Sequence, residues 1–287
     1  MRYFLLLTFS LAVWFVAQTL ALHASGGRTI KSDSNFFSSL GRIQAGAHSK
    51  QRIMVLGSSI TGRIPDSAQG FSGISNMGCD GGHGIDTLRA IDQGILPAAP
   101  WIFIEANTLG HSLTETRSEV SRAMTRPWFS LGIEIPSISA YSRPSAFFYS
   151  KLLASKIGSF RKEDAQRGFG TGTNPTKLHP ALRCELTPIQ NQVIAEVSAI
   201  IARLRQNGSQ FIFVWLPPAR AETRPPDWIL SLAEASNSYW WDLGQAVPKE
   251  EVRLTDSVHM DATSATRTTG ELLRAVEHLE QIQQLGN

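Results

Sequence analysis

The chain is 287 residues long, 42% apolar and 18% charged, with a formal net charge of +3. These are the proportions of a globular protein long enough to bury its own core, and they exclude a disordered chain. Its Lys and Arg residues are scattered, with no basic run and no aromatic–basic interleaving, which argues against a nucleic-acid partner.

Arg2 is followed by Tyr3-Phe4-Leu5-Leu6-Leu7 and a mostly apolar run to Leu22. About 20 helical residues at ~1.5 Å each match a hydrocarbon core of ~30 Å. The same stretch has the form of a secretory signal, with a basic start, an apolar middle and small residues such as Ala21 or Ala24 at a cut. Residues 1–24 are therefore a signal peptide or an N-terminal membrane anchor, and either reading exports the rest. Residues 25–50, rich in Gly, Ser, Lys and Arg, read as a linker. One domain is expected over residues 51–287.

Within it, Arg52 to Leu56 is a short apolar run closed by Gly57, a buried strand. A second strand near Gly73–Met77 leads into Gly78-Cys79-Asp80-Gly81-Gly82-His83-Gly84. Ile85–Ile95 reads as helix, and Trp101-Ile102-Phe103-Ile104 as a third strand that runs into Glu105-Ala106-Asn107. Ser112–Thr125 suits an exposed helix. Pro136–Phe160 is aromatic-rich and helical near Phe147–Ala154, and Gly168–Pro180 reads as a loop. Thr187-Pro188 opens a strong helix that ends at Asn207-Gly208. Phe211–Leu216 is a fourth strand stopped by Pro217-Pro218. Ile229–Ala235 is helical, Tyr239–Leu243 a short fifth strand, and a last helix follows Asp261. Apolar strands alternating with helices predict an α/β fold, a parallel five-stranded sheet covered on both faces. In such sheets ligands bind at the carboxyl ends of the strands. Ser59, Gly78 and Asn107 each follow a strand.

A serine attacks only when a base takes its proton, an acid orients that base, and donors face the developing oxyanion. Ser59 fits the nucleophile, although a serine capping the next turn is the local alternative. Asp256-Ser257-Val258-His259 places a carboxylate and an imidazole three residues apart in a polar loop, so one turn can join them. Asp80-Gly81-Gly82-His83 has the same spacing, but its two glycines hold an imidazole poorly. Gly57-Ser58-Ser59-Ile60-Thr61-Gly62 does not fit the Gly-x-Ser-x-Gly elbow. The two cysteines, Cys79 and Cys184, form no Cys-x-x-Cys pattern, and no metal or cofactor is expected. Two buried thiols and a disulfide both remain open.

Four blocks taken in order resemble the SGNH, or GDSL-like, hydrolase superfamily: Gly57-Ser58-Ser59, Asn76-Met77-Gly78, Glu105-Ala106-Asn107 and Asp256-x-x-His259. The resemblance spans residues 52 to about 275 and implies a three-layer flavodoxin-like sandwich. It implies Ser59 as nucleophile, His259 rather than His83 as base and Asp256 as orienting acid. The oxyanion donors would be the amides of Ser59 and Gly78 and the side chain of Asn107. Two departures stand out. Ser58 replaces the usual aspartate of the first block, and the third block lacks both its glycine and the aspartate that follows its asparagine.

Gly-Ser-Ser beside an export segment resembles proteins of bacterial cell-envelope acylation. That implies an esterase or O-acyltransferase in the periplasm or cell envelope, acting on acyl, in particular acetyl, esters of envelope or secreted polysaccharide. Its partner would be a membrane-bound O-acyltransferase. The alternative is an inactive member of the fold that binds glycan or scaffolds an export complex. A lipase acting on membrane lipid is a third reading, prompted by Phe147-Phe148-Tyr149, although core packing also accounts for these aromatics. Arg220 and the pair Trp240-Trp241 are further candidates for the site, with surface and core positions as their plain alternatives.

Overall fold

The structure is a computed structural model that describes residues 2–24, 33–48, 51–110, 119–178, 185–218 and 225–285. It is an α/β protein built on one six-stranded sheet. The strands are β1 (Ile53–Gly57), β2 (Ile74–Gly78), β3 (Trp101–Glu105), β4 (Thr176–Lys177), β5 (Gln210–Val214) and β6 (Tyr239–Trp241), in the order β2-β1-β3-β5-β6-β4. Five strands are parallel, and only the two-residue β4 runs antiparallel, against β6 at the edge. The sheet thus has six strands where the sequence predicts five. The extra one lies in the segment 168–180, expected as loop, because a pair of exposed polar residues carries no strand pattern.

The helices are α1 (Arg2–Ala24), α2 (Asp33–His48), α3 (Gly84–Asp92), α4 (Glu119–Met124), α5 (Pro127–Glu134), α6 (Pro144–Ile157), α7 (Lys162–Arg167), α8 (Pro188–Gln206), α9 (Asp227–Ala235), α10 (Leu243–Ala246) and α11 (Ala262–Leu285). They cover both faces of the sheet, so the strands are apolar throughout rather than alternating. Alternate residues feed two cores. Met54, Leu56, Ile102, Ile104, Phe211 and Phe213 pack under α2, α3, α8 and α9. Ile53, Val55, Trp101, Phe103, Ile212 and Val214 pack under α11, which contributes Leu272, Ala275, Val276 and Leu279. Trp240 lies in the first core and Trp241 in the second, so core packing is the role both take.

The helix starting at Thr187 forms as expected. The Thr187 hydroxyl accepts from the Gln190 N–H, the Gln190 side chain answers on the Thr187 N–H, and Pro188 occupies the first turn. Two expectations fail nearer the N-terminus. The linker reading of 25–50 does not hold from residue 33 onward. α2 buries Phe36, Phe37, Leu40 and Ile43 against β2, α5 and α6, so the domain begins there rather than at 51. Its many serines disguise it, yet Ser38 and Ser39 are themselves buried, and Ser38 Oγ meets Ser150 Oγ at 2.9 Å. The exposed helix expected at 112–125 is, where described, the short α4, with Val120, Ala123 and Met124 buried. α1 is apolar and, Gln18 apart, exposed from Arg2 to Leu20. From Arg2 to Leu20 it is long and apolar enough to cross a membrane, a property signal sequences share.

Because β1, β2 and β3 are parallel and in register, their carboxyl ends gather at one edge. Gly57 lies opposite Gly78, and Leu56 opposite Ile104. Chain segments that leave this edge carry the candidate residues.

Candidate active site

The chain leaves β1 at Gly57 and turns at once into a short helical turn, Thr61–Arg63. A buried carboxylate holds this turn. Glu105, at the end of β3, is fully buried, and its oxygens accept from five donors. These are the Ser58 N–H (2.8 Å) and hydroxyl (2.9 Å), the Thr61 N–H (3.2 Å) and hydroxyl (2.7 Å), and the Thr108 hydroxyl (3.0 Å). The Ser58 hydroxyl accepts in turn from the Ile60 N–H at 3.1 Å. A buried carboxyl group is costly unless hydrogen bonds replace water, and here five donors do so. A Cβ at Gly57 would run into Thr61 Oγ1 and the Glu105 side chain, so the carboxylate can cross β1 only over a glycine. Ser59 is thereby the one residue of Gly57-Ser58-Ser59 whose side chain is left for chemistry.

His259 arrives from the far end of the chain. Residues 254–260 form a closed turn pinned at its base. Leu254 bridges Met260, the Thr255 N–H donates to the His259 carbonyl (2.9 Å), and the Asp261 N–H donates to the Arg253 carbonyl (2.9 Å). Within the turn, Asp256 accepts from the backbone N–H groups of Val258 (2.9 Å) and His259 (2.8 Å) and meets His259 Nδ1 at 2.9 Å. His259 Nε2 then lies 2.8 Å from Ser59 Oγ, joining residues 200 positions apart. Burial pushes the Asp256 carboxyl up. The bonds from the His259 ring and from the two backbone amides outweigh that and hold it well below the usual carboxylate range. The carboxylate is therefore ionised across the physiological range, as a group that orients an imidazole and balances its positive charge must be.

His83 takes no part in this contact. It precedes α3, and its Nδ1 faces Asp86 at 3.1 Å rather than Asp80. Asp80 instead lies 3.7 Å from Arg42, whose Nη1 donates to the Gly78 carbonyl at 2.8 Å.

The oxyanion candidates divide. The Ser59 N–H makes no hydrogen bond among the described residues. The Gly78 N–H donates to Asn76 Oδ1 at 2.8 Å, and a Cβ at Gly78 would stand 2.8 Å from the Ser58 carbonyl oxygen. Its visible role is close packing of β2 against the Ser59 turn. Asn107 bonds twice to Leu216, its Nδ2 donating to the carbonyl and its Oδ1 accepting from the N–H, both at 2.8 Å. One hydrogen of that amide remains. Asn107 thus ties the end of β3 to the segment that follows β5.

A cavity of about 560 Å³ opens over Ser59. Besides Ser59, Asp256 and His259, its wall includes Asn35, Arg63, Asp80, Gly81, Tyr149 and Lys156. α6 forms one side, with Tyr149, Leu152, Leu153 and Lys156, and turns Phe147 and Phe148 outward. These two rings, 49% and 64% exposed, are not core residues. α6 rests on α2 through small side chains such as Ala146 and Ser150. No group of metal-ligating side chains occurs among the described residues. Cys79 is a buried free thiol that burial pushes up to about 12. Cys184 and Arg220 lie outside the described residues.

Sequence reasoning missed Glu105, Arg63 and Asn35. For Glu105 the sequence holds only an acidic residue closing an apolar strand, with nothing that names Ser58 as its partner. No family model, curated protein or solved structure matches the chain.

Proposed function

We propose that the chain is a serine esterase or O-acyltransferase of the SGNH type, working through an acyl-enzyme on Ser59. The observation that carries this reading is the contact of 2.8 Å from His259 Nε2 to Ser59 Oγ, backed by Asp256 on the other ring nitrogen. His259 takes the hydroxyl proton as Oγ attacks the ester carbonyl. The tetrahedral oxyanion meets the unengaged Ser59 N–H, and the resemblance adds Gly78 and Asn107 as further donors. His259 returns the proton to the departing alkoxide, and Asp256 stabilises the imidazolium between these steps. Water or a sugar hydroxyl, deprotonated by the same imidazole, then takes the acyl group. Hydrolysis and transfer share everything up to that point.

The order of the parallel strands, β2-β1-β3-β5-β6, is compatible with a flavodoxin-like sandwich. The apolar α1 fits an exported enzyme of the bacterial envelope, held at the membrane or released after cleavage. Its substrate would be an acetylated envelope or secreted polysaccharide, and its partner a membrane-bound O-acyltransferase. A second reading, a non-catalytic glycan-binding or scaffold protein of this fold, is favoured by the engagement of Gly78 N–H and Asn107 within the fold. The deciding test is nitrophenol release from 4-nitrophenyl acetate by the full chain in mild detergent. Turnover that disappears in Ser59→Ala supports the enzyme, and an unchanged rate in that variant removes Ser59 from the mechanism. Longer-chain esters in the same assay separate a lipid substrate, which the exposed Phe147 and Phe148 would suit.

A further inference from the structure

Arg63 stands at the end of the turn that carries Ser59 and forms part of the cavity wall over it. It is 9% exposed. Its Nη1 is buried without a hydrogen-bond partner, and its guanidinium makes no ion pair or hydrogen bond among the described residues. A buried donor on a permanent charge is costly to leave unanswered.

The carboxylates that share its surroundings are committed elsewhere. Asp80 faces Arg42 at 3.7 Å, and Asp256 holds His259 at 2.9 Å. A second cation of the wall, Lys156, stands 3.9 Å from Asp256 and is half exposed at the mouth. Arg42 lies behind the wall, and the Tyr149 hydroxyl is the remaining titratable group in Arg63's field. Burial lowers the Arg63 guanidinium from its ordinary value and outweighs the opposing pull of Asp80, Tyr149 and Asp256, none of which bonds to it. On the same wall, Asn35 Oδ1 is a buried acceptor with no donor among the described residues. A cation and an acceptor, both without hydrogen-bond partners among the described residues, beside one nucleophile define the ligand that this wall suits. It brings an anionic oxygen group to Arg63 and a hydroxyl to Asn35.

We propose that Arg63, with Asn35 and Lys156, forms an anion subsite beside Ser59, so that the preferred substrate is an acyl ester of a carbohydrate bearing a carboxylate or phosphate. This rests on the reading of Ser59 as nucleophile and narrows the substrate class. The guanidinium fork suits either group, since both present paired oxygens.

The test compares kcat/KM of the full chain in detergent for acetate release from three substrates: O-acetylated methyl glucoside, O-acetylated methyl glucuronide and the acetylated 6-phosphate of methyl glucoside. An Arg contact to a carboxylate or phosphate should favour at least one charged substrate by about tenfold or more, an advantage that shrinks at high salt. The charged substrate that gains more identifies the group. In Arg63→Gln the ratio of charged to neutral should fall to near one, and Arg63→Lys should keep part of it because charge remains without the fork. Equal kcat/KM for all three with the wild-type chain overturns the proposal, as does a preference that persists in Arg63→Gln. If no ester is turned over and Ser59 proves unreactive, the enzymatic reading fails separately. Titration with methyl glucuronide, methyl glucoside 6-phosphate and methyl glucoside then decides the subsite. Charged ligands binding at least tenfold tighter in wild type, but not in Arg63→Gln, support it, and equal or undetectable binding of all three overturns it.

Discussion

The turn that carries Ser59 and the turn that carries His259 reach the same hydrogen bond from opposite kinds of structure. The first is set in the middle of the sheet. Ser58, Thr61 and Thr108 close around a fully buried Glu105, Gly57 leaves room for the Glu105 and Thr61 side chains, and Gly78 lets β2 approach the backbone of the turn. The second is a surface turn whose bonds are almost all internal, from Asp256 to its own neighbours and from Thr255 to the His259 carbonyl. A nucleophile placed by long-range contacts should depend on the stability of the whole domain. A base presented by a self-contained turn should be removable with little cost to the fold.

The largest expected effects bear on chemistry and spare the structure. Ser59→Ala and His259→Ala should each lower ester turnover by about 10³-fold or more, since triad members fail as a unit. Urea melts of both variants should stay within ~1 kcal/mol of wild type. A loss of turnover accompanied by unfolding would show that the His259 turn is more than a surface device. Asp256→Asn should follow with about 10²- to 10⁴-fold, because the orienting carboxylate goes while the turn keeps an acceptor for its amides.

Glu105→Gln reverses the pattern. Half of its amide would turn N–H groups toward the donors of Ser58 and Thr61, leaving buried groups unpaired at a cost of about 2–4 kcal/mol. The urea midpoint should fall accordingly, and activity should fall with the folded fraction. A variant as stable as wild type would mean that Glu105 is not what holds the nucleophile turn.

Acid sensitivity is a smaller effect of known sign. Asp256 is held below its ordinary range when folded, so its contribution to stability is complete above the unfolded value near 4. That contribution is lost as pH falls through the folded value. Wild type and Asp256→Asn should therefore converge in stability only in strong acid. The smallest effect concerns Cys79. Its folded thiol is pushed up to about 12, so its contribution is intact at neutral pH and declines as pH rises from about 9. Iodoacetamide should leave it unmodified at pH 8 until the domain is unfolded.

The same contrast explains what could be read from sequence. Asp256 and His259 sit three residues apart, so their partnership shows in a four-residue motif. The strands were legible because both faces of each are buried, and the helix from Pro188 because its capping residues are local. Glu105 and Ser58 are 47 positions apart, and nothing in either segment names the other. Arg63 was hidden for the same reason, since an arginine after a Gly looks like surface until the elements around it are placed. α2 looks like linker in sequence because serine and glycine counts describe composition, whereas its burial depends on which face meets α5, α6 and β2. Gly78 and Asn107 were located correctly at the strand ends, but their polar groups face partners that only the folded chain brings near.

The central claim is that Ser59 is a nucleophile made reactive by His259. Treatment of the full chain with a fluorophosphonate probe, followed by peptide mass spectrometry, measures this directly. One adduct on the peptide carrying Ser59 is expected, absent in Ser59→Ala and formed far more slowly in His259→Ala. A folded chain that takes up no probe, or one labelled as fast without the imidazole, would contradict it.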